Sequence, residues 1–363
     1  MGEAGAARAS ELLANIAAAP RPAGGEEEAR VRALCAERLA RAGLTVREET
    51  FSYSSFPGRF ATPLAGVATL AGVLAAGHYG AHGRPVSSVG AVLLAIGVLA
   101  LGGRALAARV TTLPLLRDVG VNLVATRGNP RAWMVAHLDS KSQPVPMLIR
   151  VAGIVVAALA MVALLVLAIR SVAGAIVPER AWHLVTLIGA IASLPVIASV
   201  VGARSPGALD DASGVATVLL ALERLPRDLP VGVLLSSAEE LGMAGAQAFA
   251  SGRRPASALN VDGVDDRGAF LCMLHGAAAR PRIGVAHAAQ GLGMKVRESR
   301  TIPGLLTDGV ALANAGWAAV TLSRGTLATL WRIHRRADDA SRLRGSGVNE
   351  MARLLARAVR EIA

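Results

Sequence analysis

Residues 132–140 read AWMVAHLDS, an uncharged β-prone run closed by His137 and Asp139. Such a run predicts a short strand over Ala132–Ala136, buried on both faces and ending in polar residues. Three more runs have this form: Val231–Ser237 leads into Glu239 and Glu240, Ala258–Val261 ends in Asp262, and Ala318–Leu322 follows later. Helical patterns at Ser213–Leu225, Leu241–Ala250 and Asn349–Ile362 alternate with them. This alternation predicts an α/β fold with a mixed, largely parallel central sheet flanked by helices. In such sheets ligands collect just beyond the carboxyl ends of the strands.

The rest of the chain is unusually apolar. Of 363 residues, 53% are hydrophobic and 18% charged, and the mean hydropathy is +0.47. That excludes disorder for most of the chain and points to a membrane. Four uncharged runs, Phe60–Gly83, Pro85–Gly103, Val151–Ile169 and Ala181–Ala203, each approach the ~20 residues that span a hydrocarbon core. The first two are rich in Gly and Ala, with His78 and His82 at one mouth, so buried soluble helices are an alternative there. The runs form two hairpins. The predicted segments are N-terminal helices and the start of the α/β domain at 1–59, a transmembrane hairpin at 60–108, the first ligand strand at 109–146, a second hairpin at 147–203, and the remainder at 204–363. Setting the hairpins aside leaves about 260 residues, enough for one sizeable core.

Met1–Thr50 reads as an amphipathic helix pair, charged throughout and without the apolar start of a secretory signal. The hairpin connectors carry Arg84, Arg170 and Arg180, whereas the opposite flanks carry Arg59, Arg104, Arg109, Arg117, Arg127, Arg131, Lys141, Arg150 and Arg204. The positive-inside bias therefore predicts a multi-pass integral membrane protein with four helices and a cytoplasmic globular part. The formal charge of +12 comes without a basic block, and aromatics are only 3%. A nucleic-acid partner is disfavoured on both counts. Two cysteines, Cys35 and Cys272, exclude a disulfide framework, and Cys272 with His275 lacks a second ligand pair for a zinc knuckle.

The polar residues at the strand ends carry the chemistry. They are His137 and Asp139, then Asp210 and Asp211 in GALDDASG, Glu239 and Glu240, Asp262, and finally His334 and Asp338 in RIHRRADD. Singly, each has a bland explanation: Asp210 caps a helix, His137 is a core histidine, Glu239 and Glu240 start a helix. Together they converge on one sheet edge, where so many buried like charges require a cation. Two histidines among carboxylates suit zinc, with manganese and cobalt compatible, and suffice for two ions sharing a carboxylate. Adjacent Glu239 and Glu240 offer one ligand and one free base. Asp139 is spaced to orient His137.

The motifs AHLDS, GALDDASGVA, SSAEELGMAGA, LNVDG, LLTDGVALANAGWAAVTL and IHRRAD occur here in order. They resemble those of the M28 zinc peptidases, which include bacterial aminopeptidases and glutamate carboxypeptidases. LLANIAAAPRPAGGEEEARVRALCAERLARAGLTV likewise resembles the family's opening helices. The resemblance covers about residues 110–363 apart from the apolar insert. It implies a zinc-exopeptidase-like fold and two zinc ions, His137 and Asp262 on one, Glu240 and His334 on the other, and Asp210 bridging. It implies Glu239 as general base on a metal-bridging water, and Asp139 and Asp338 as supporting partners of His137 and His334.

Three departures stand out. Leu209 replaces the Asn usual before the bridging Asp, TDGVAL lacks the usual His and Phe, and the apolar insert between Asp139 and Asp210 replaces a short loop. The expected activity is a membrane-anchored aminopeptidase acting on short peptides beside the lipid bilayer. The alternatives are a glutaminyl-cyclase-like enzyme and a non-catalytic membrane scaffold on a peptidase fold. Oligomeric state is not legible. Trp133 and Trp331 are expected to pack the core.

Overall fold

The computed structural model describes residues 2–301 and 305–363; Met1 and residues 302–304, which fall within the predicted segments 1–59 and 204–363, lie outside the described residues. The chain divides into two units. One comprises residues up to 55 with 114–142 and 202–363, the other residues 56–113 and 143–201.

The first unit is built on eight strands among the described residues: β1 Thr45–Ser54, β2 Arg117–Arg127, β3 Ala132–His137, β4 Val231–Ser236, β5 Ser257–Val264, β6 Ala269–His275, β7 Val296–Arg300 and β8 Ala318–Gly325. Their order is β1-β2-β4-β3-β5-β8-β6-β7. The centre, β4-β3-β5-β8, is parallel, while β2 meets β4 and β6 meets β8 in antiparallel fashion. Every residue of β3 and β4 is buried, as expected for strands covered on both faces. Helices Gly2–Ile16, Ser213–Leu222, Ala279–Leu292 and Ser346–Ile362 pack with one another, and Ala244–Ala250 packs with Asp308–Asn314. The latter pair closes over a core of Trp133, Phe249 and Trp317, whose ring centroids lie 4.9–6.0 Å apart. Trp133 stands opposite Gly232 in the ladder. A Cβ on Gly232 would lie 2.3 Å from the indole, so only glycine admits the ring.

Several expectations are corrected. The amphipathic pair does not run to Thr50: its second helix ends at Arg41, and Thr45–Ser54 is the edge strand β1. The charges of Arg47, Glu48 and Glu49 hide that strand in the sequence. An edge tolerates them because it faces solvent. Strands β2, β6 and β7 were likewise not anticipated. The helix expected from Leu241 starts at Ala244, because Gly242 and Met243 take φ of 111° and 58°. That left-handed turn ends the loop carrying Glu239 and Glu240. The last helix begins at Ser346 rather than Asn349, and the helix from Ser213 stops at Leu222.

The second unit holds four helices, Phe56–Ala81, Pro85–Ala108, Met147–Val172 and Glu179–Ile197, each long and apolar enough to cross a membrane. Small residues bring them together; a Cβ on Gly80 would lie 2.2 Å from the Trp182 ring. Val73, Val92, Met161, Leu164 and Trp182 are buried between the helices, whereas Leu94, Leu101 and Leu159 are 63–72% exposed. So much outward-facing apolar surface marks an interaction face.

The first unit closes both points at which the chain leaves it. Ser142 and Gly202 exchange backbone hydrogen bonds of 2.7 Å each, and the Ser55 N–H donates to the Leu116 carbonyl at 3.0 Å.

Glu28, in the first turn of helix Glu26–Arg41, is fully buried, and its Oε2 accepts from the Gly24 N–H at 2.7 Å. Burial, reinforced by the charge of Asp139, pushes its carboxyl up to about 7. Above that pH the fold holds an unwelcome charge, so stability present in acid is lost as pH rises through the folded-state value. Glu28→Gln is expected to be more stable than the parent by about 2–3 kcal/mol near pH 8, the difference vanishing below about pH 5, in denaturant titrations at both pH values.

Candidate metal centre

The centre lies beyond the carboxyl ends of β3, β4 and β5. β3 delivers His137, whose neighbour Leu138 still donates to the Ser236 carbonyl of β4 at 2.8 Å. The loop after β4 delivers Glu239 and Glu240, and Asp262 sits within β5. Asp210 comes from the segment before helix Ser213–Leu222, where Gly207 turns the chain at φ 61° and a Cβ would lie 2.4 Å from the Asp210 carbonyl oxygen. Asp210 does not cap that helix. The carboxylate that meets its first turn is Asp211, whose Oδ1 accepts from the Gly214 N–H at 2.9 Å.

Two ligand sets meet at Asp210: His137, Asp210 and Asp262 in one, Asp210, Glu240 and His334 in the other, with the donor atoms of each within 4.8 Å of one another. Asp210 Oδ1 lies 3.0 Å from His137 Nε2, and its Oδ2 lies 2.9 Å from His334 Nε2. Each carboxylate oxygen thus faces a different imidazole. Glu240 Oε1 is 3.4 Å from His334 Nε2, and Glu239 Oε2 is 3.9 Å from His137 Nε2. All of these except Asp210 and Asp262 are buried; Asp210 keeps 12% of its side chain exposed.

Three other carboxylates engage the backbone. Asp139 accepts from the amides of Glu239 and Glu240, both at 3.1 Å, while its Oδ1 is 3.6 Å and its carbonyl 3.0 Å from His137 Nδ1. Asp211 also accepts from the amides of His137 and Gly263. Asp338, expected beside His334, accepts from the amides of Leu209 at 2.7 Å and Asp210 at 3.2 Å, and His334 Nδ1 has no hydrogen-bond partner among the described residues. Leu209 therefore contributes through its main chain, which explains why an apolar side chain is tolerated before Asp210.

Lys141, Asp308 and Arg21 belong to the site without having been singled out from the sequence. Lys141 Nζ lies 2.5 Å from Glu240 Oε2. Asp308, buried at the start of its helix, hydrogen-bonds Ser236 Oγ. Arg21 is fully buried, and its guanidinium donates to the carbonyls of Leu138, Pro206 and Gly207, tying the His137 and Asp210 loops together. No spacing rule connects Arg21 with residues so far along the chain. His275 is a core histidine held between Thr301 and Thr321, and burial lowers it to about 4. Trp331, expected in the core, is 44% exposed.

Electrostatics favour a cation. Burial pushes Glu239 well up, Asp262 to about 7 and Asp308 to about 6, and neighbouring carboxylates add to the effect on all three. Burial also opposes the charge on Glu240, but Lys141 prevails and holds its carboxyl at about 2. His137 is raised: burial opposes its charge, and Glu239, Asp139 and Asp210 overcome it. The Lys141 ammonium, the Arg21 guanidinium and two imidazoles do not balance this many carboxylates in a dry site. Imidazole and carboxylate donors grouped about a shared Asp fit one or two zinc ions.

Removing Asp338 leaves the amides of Leu209 and Asp210 without this acceptor and frees Asp210 to move. Asp338→Ala is expected to weaken metal retention by about 10–100-fold in chelator competition, with the circular dichroism spectrum unchanged.

No curated protein sequence matches the chain. Among solved structures, it is similar to an aminopeptidase from Aneurinibacillus sp. strain AM-1 at 13% identity and TM-score 0.58, covering 99% of this chain and 94% of that one. It is similar to a zinc aminopeptidase from Bacillus subtilis at 14% identity and TM-score 0.56, covering 98% and 94%. It is also similar to a glutaminyl cyclase from Bacteroides thetaiotaomicron at 13% identity and TM-score 0.56, covering 98% and 97%. At such identities the likeness shows the fold: α/β, with a mixed central sheet flanked by helices, as in zinc aminopeptidases. Residues 191–359, which carry Asp210, Glu239, Glu240, Asp262 and His334, match the model of Peptidase family M28.

Proposed function

We propose that the chain is a membrane-anchored, di-zinc metallopeptidase that removes residues from the amino terminus of short peptides. The observation that carries this reading is the pair of ligand sets sharing Asp210, with Glu239 beside them and outside both. The match to Peptidase family M28 and the likeness to zinc aminopeptidases support it.

In this reading His137 and Asp262 would hold one zinc and Glu240 and His334 the other, with Asp210 available to both. Zinc bound there supplies Lewis acidity, which acidifies water and neutralises a developing oxyanion. Glu239 takes a proton from the attacking water and returns it to the leaving amine. Burial raises this carboxyl, so it holds a proton readily once it has accepted one. Asp139 keeps the Glu239–Glu240 main chain in place through both amides and flanks His137 Nδ1. Lys141 keeps Glu240 ionised, the form a metal ligand needs.

The four apolar helices support anchoring in the bilayer, and the arginine distribution supports a cytoplasmic catalytic unit. A second reading, cyclisation of amino-terminal glutamine, is favoured by the likeness to glutaminyl cyclases. Both chemistries attack a carbonyl, and they differ in the nucleophile.

Elemental analysis of the detergent-purified chain is expected to give about two zinc per molecule, falling sharply in Asp210→Ala. Glu239→Gln should keep its metal yet lose about 10²–10⁴-fold in turnover of aminoacyl-anilides. A parent that retains no divalent ion after reconstitution sinks the reading. Ammonia release from glutaminyl peptides without hydrolysis of aminoacyl-anilides selects the cyclase reading instead. The chain should also stay with the membrane pellet through an alkaline carbonate wash.

A further inference from the structure

The amino-terminal ends of the same parallel strands enclose a second feature. Arg131 just before β3, Trp133 on β3, Ser257 on β5 and Ala318 on β8 line a cavity of about 780 Å³. That is within the roughly 300–1,000 Å³ typical of ligand pockets. The metal ligand His137 lies at the other end of β3, which at about 3.3 Å per residue is a separation of order 15 Å along the strand. The cavity and the proposed catalytic centre are separate places.

Its charge is strongly one-sided. Arg47, Arg131, Arg253, Arg254 and Arg280 line it, against the single carboxylate of Glu49. Glu49 is committed: its Oε1 accepts from Arg253 Nη2 at 2.5 Å, and the Arg253 guanidinium rests 4.2 Å from the Phe249 ring centroid. Arg280 donates to the Ile362 carbonyl at 2.6 Å, which fixes its position without neutralising it. Among the described residues no ion pair involves Arg47, Arg131 or Arg254, and all three are exposed. Trp317, in the cavity wall and 2% exposed, has an Nε1–H without an acceptor among the described residues.

Clustered guanidinium groups without counter-ions repel one another unless an anion is shared between them. Their planar forks match phosphate oxygens in particular. Trp133 and Trp317 bury their ring faces, at 7% and 2% exposure, so there is no open aromatic face on which a base could stack. Recognition here is of charge rather than of a ring.

We propose that this cavity binds a small molecule carrying a di- or polyphosphate group, held by Arg47, Arg131, Arg254 and Arg280. The phosphate belongs either to a soluble metabolite or to a phosphoinositide headgroup. Both present the same anion.

The test uses the full chain in phosphatidylcholine nanodiscs, titrated calorimetrically with inorganic pyrophosphate and with ATP. Saturable binding that weakens with added salt is expected, and Arg131→Ala/Arg254→Ala should lower the affinity by at least about tenfold without changing peptide turnover. Because phosphates also bind zinc, the titration is repeated on Asp210→Ala, where the affinity should be unchanged. In nanodiscs doped with phosphatidylinositol bisphosphate, a fall in pyrophosphate affinity assigns the headgroup as occupant, and an unchanged affinity assigns a soluble ligand. Three results overturn the proposal: no saturable binding of either probe, equal affinity in the arginine variant, or loss of binding in Asp210→Ala. Since these readouts do not depend on hydrolysis, failure here is distinguishable from failure of the peptidase reading.

Discussion

The organising constraint in this molecule is the confinement of many carboxylates in one nearly dry space. Asp139, Asp211, Glu239, Glu240 and Asp308 are all buried around Asp210, and an uncompensated buried charge is among the costliest things a fold can hold. The fold divides the problem. Asp139, Asp211 and Asp338 turn to backbone amides and become part of the scaffold. Asp210 and Asp262 are left with imidazoles and each other, and Glu240, whose Oε2 meets Lys141, keeps an Oε1 without a partner among the described residues. The first group is satisfied without a metal and the second is not, so the scaffold can be ordered before any ion arrives.

Order at the site also comes from a positive charge. Among the described residues no carboxylate pairs with the Arg21 guanidinium; it donates to main-chain carbonyls of two loops that are remote in sequence. Burial makes that ion harder to keep charged, and the acidic residues Asp338, Asp211 and Asp139 offset this. The scaffold carboxylates and Arg21 therefore depend on one another through space, which makes the loop geometry cooperative.

Much of this was legible in the sequence where local pattern and chemistry coincide. The uncharged runs at Ala132–Ala136 and Val231–Ser237 mark strands because a strand buried on both faces tolerates little else. The histidines and acids that follow them were legible as a set. The edges of the sheet were not: Thr45–Ser54 carries charges like those of an exposed helix, and its strand character comes from pairing with β2. Nor was the partner of Asp338. Motif spacing can bring it close to His334, yet only the fold shows its carboxylate taken by the amides of Leu209 and Asp210. Arg21 illustrates the same limit, since its role is defined entirely by long-range carbonyls.

The backbone pairs at Ser142 with Gly202 and Ser55 with Leu116 have a further meaning for how this chain is put together. Each apolar helical hairpin departs and returns across a stitch that belongs to the α/β unit itself. Closing a long excursion adds little entropy over closing a short one, because the cost grows only with the logarithm of length. The hairpins are thus cassettes in a frame that keeps its own seams. Such a frame can exchange one apolar cassette for another, or for a plain turn, without renegotiating the sheet that carries the candidate site.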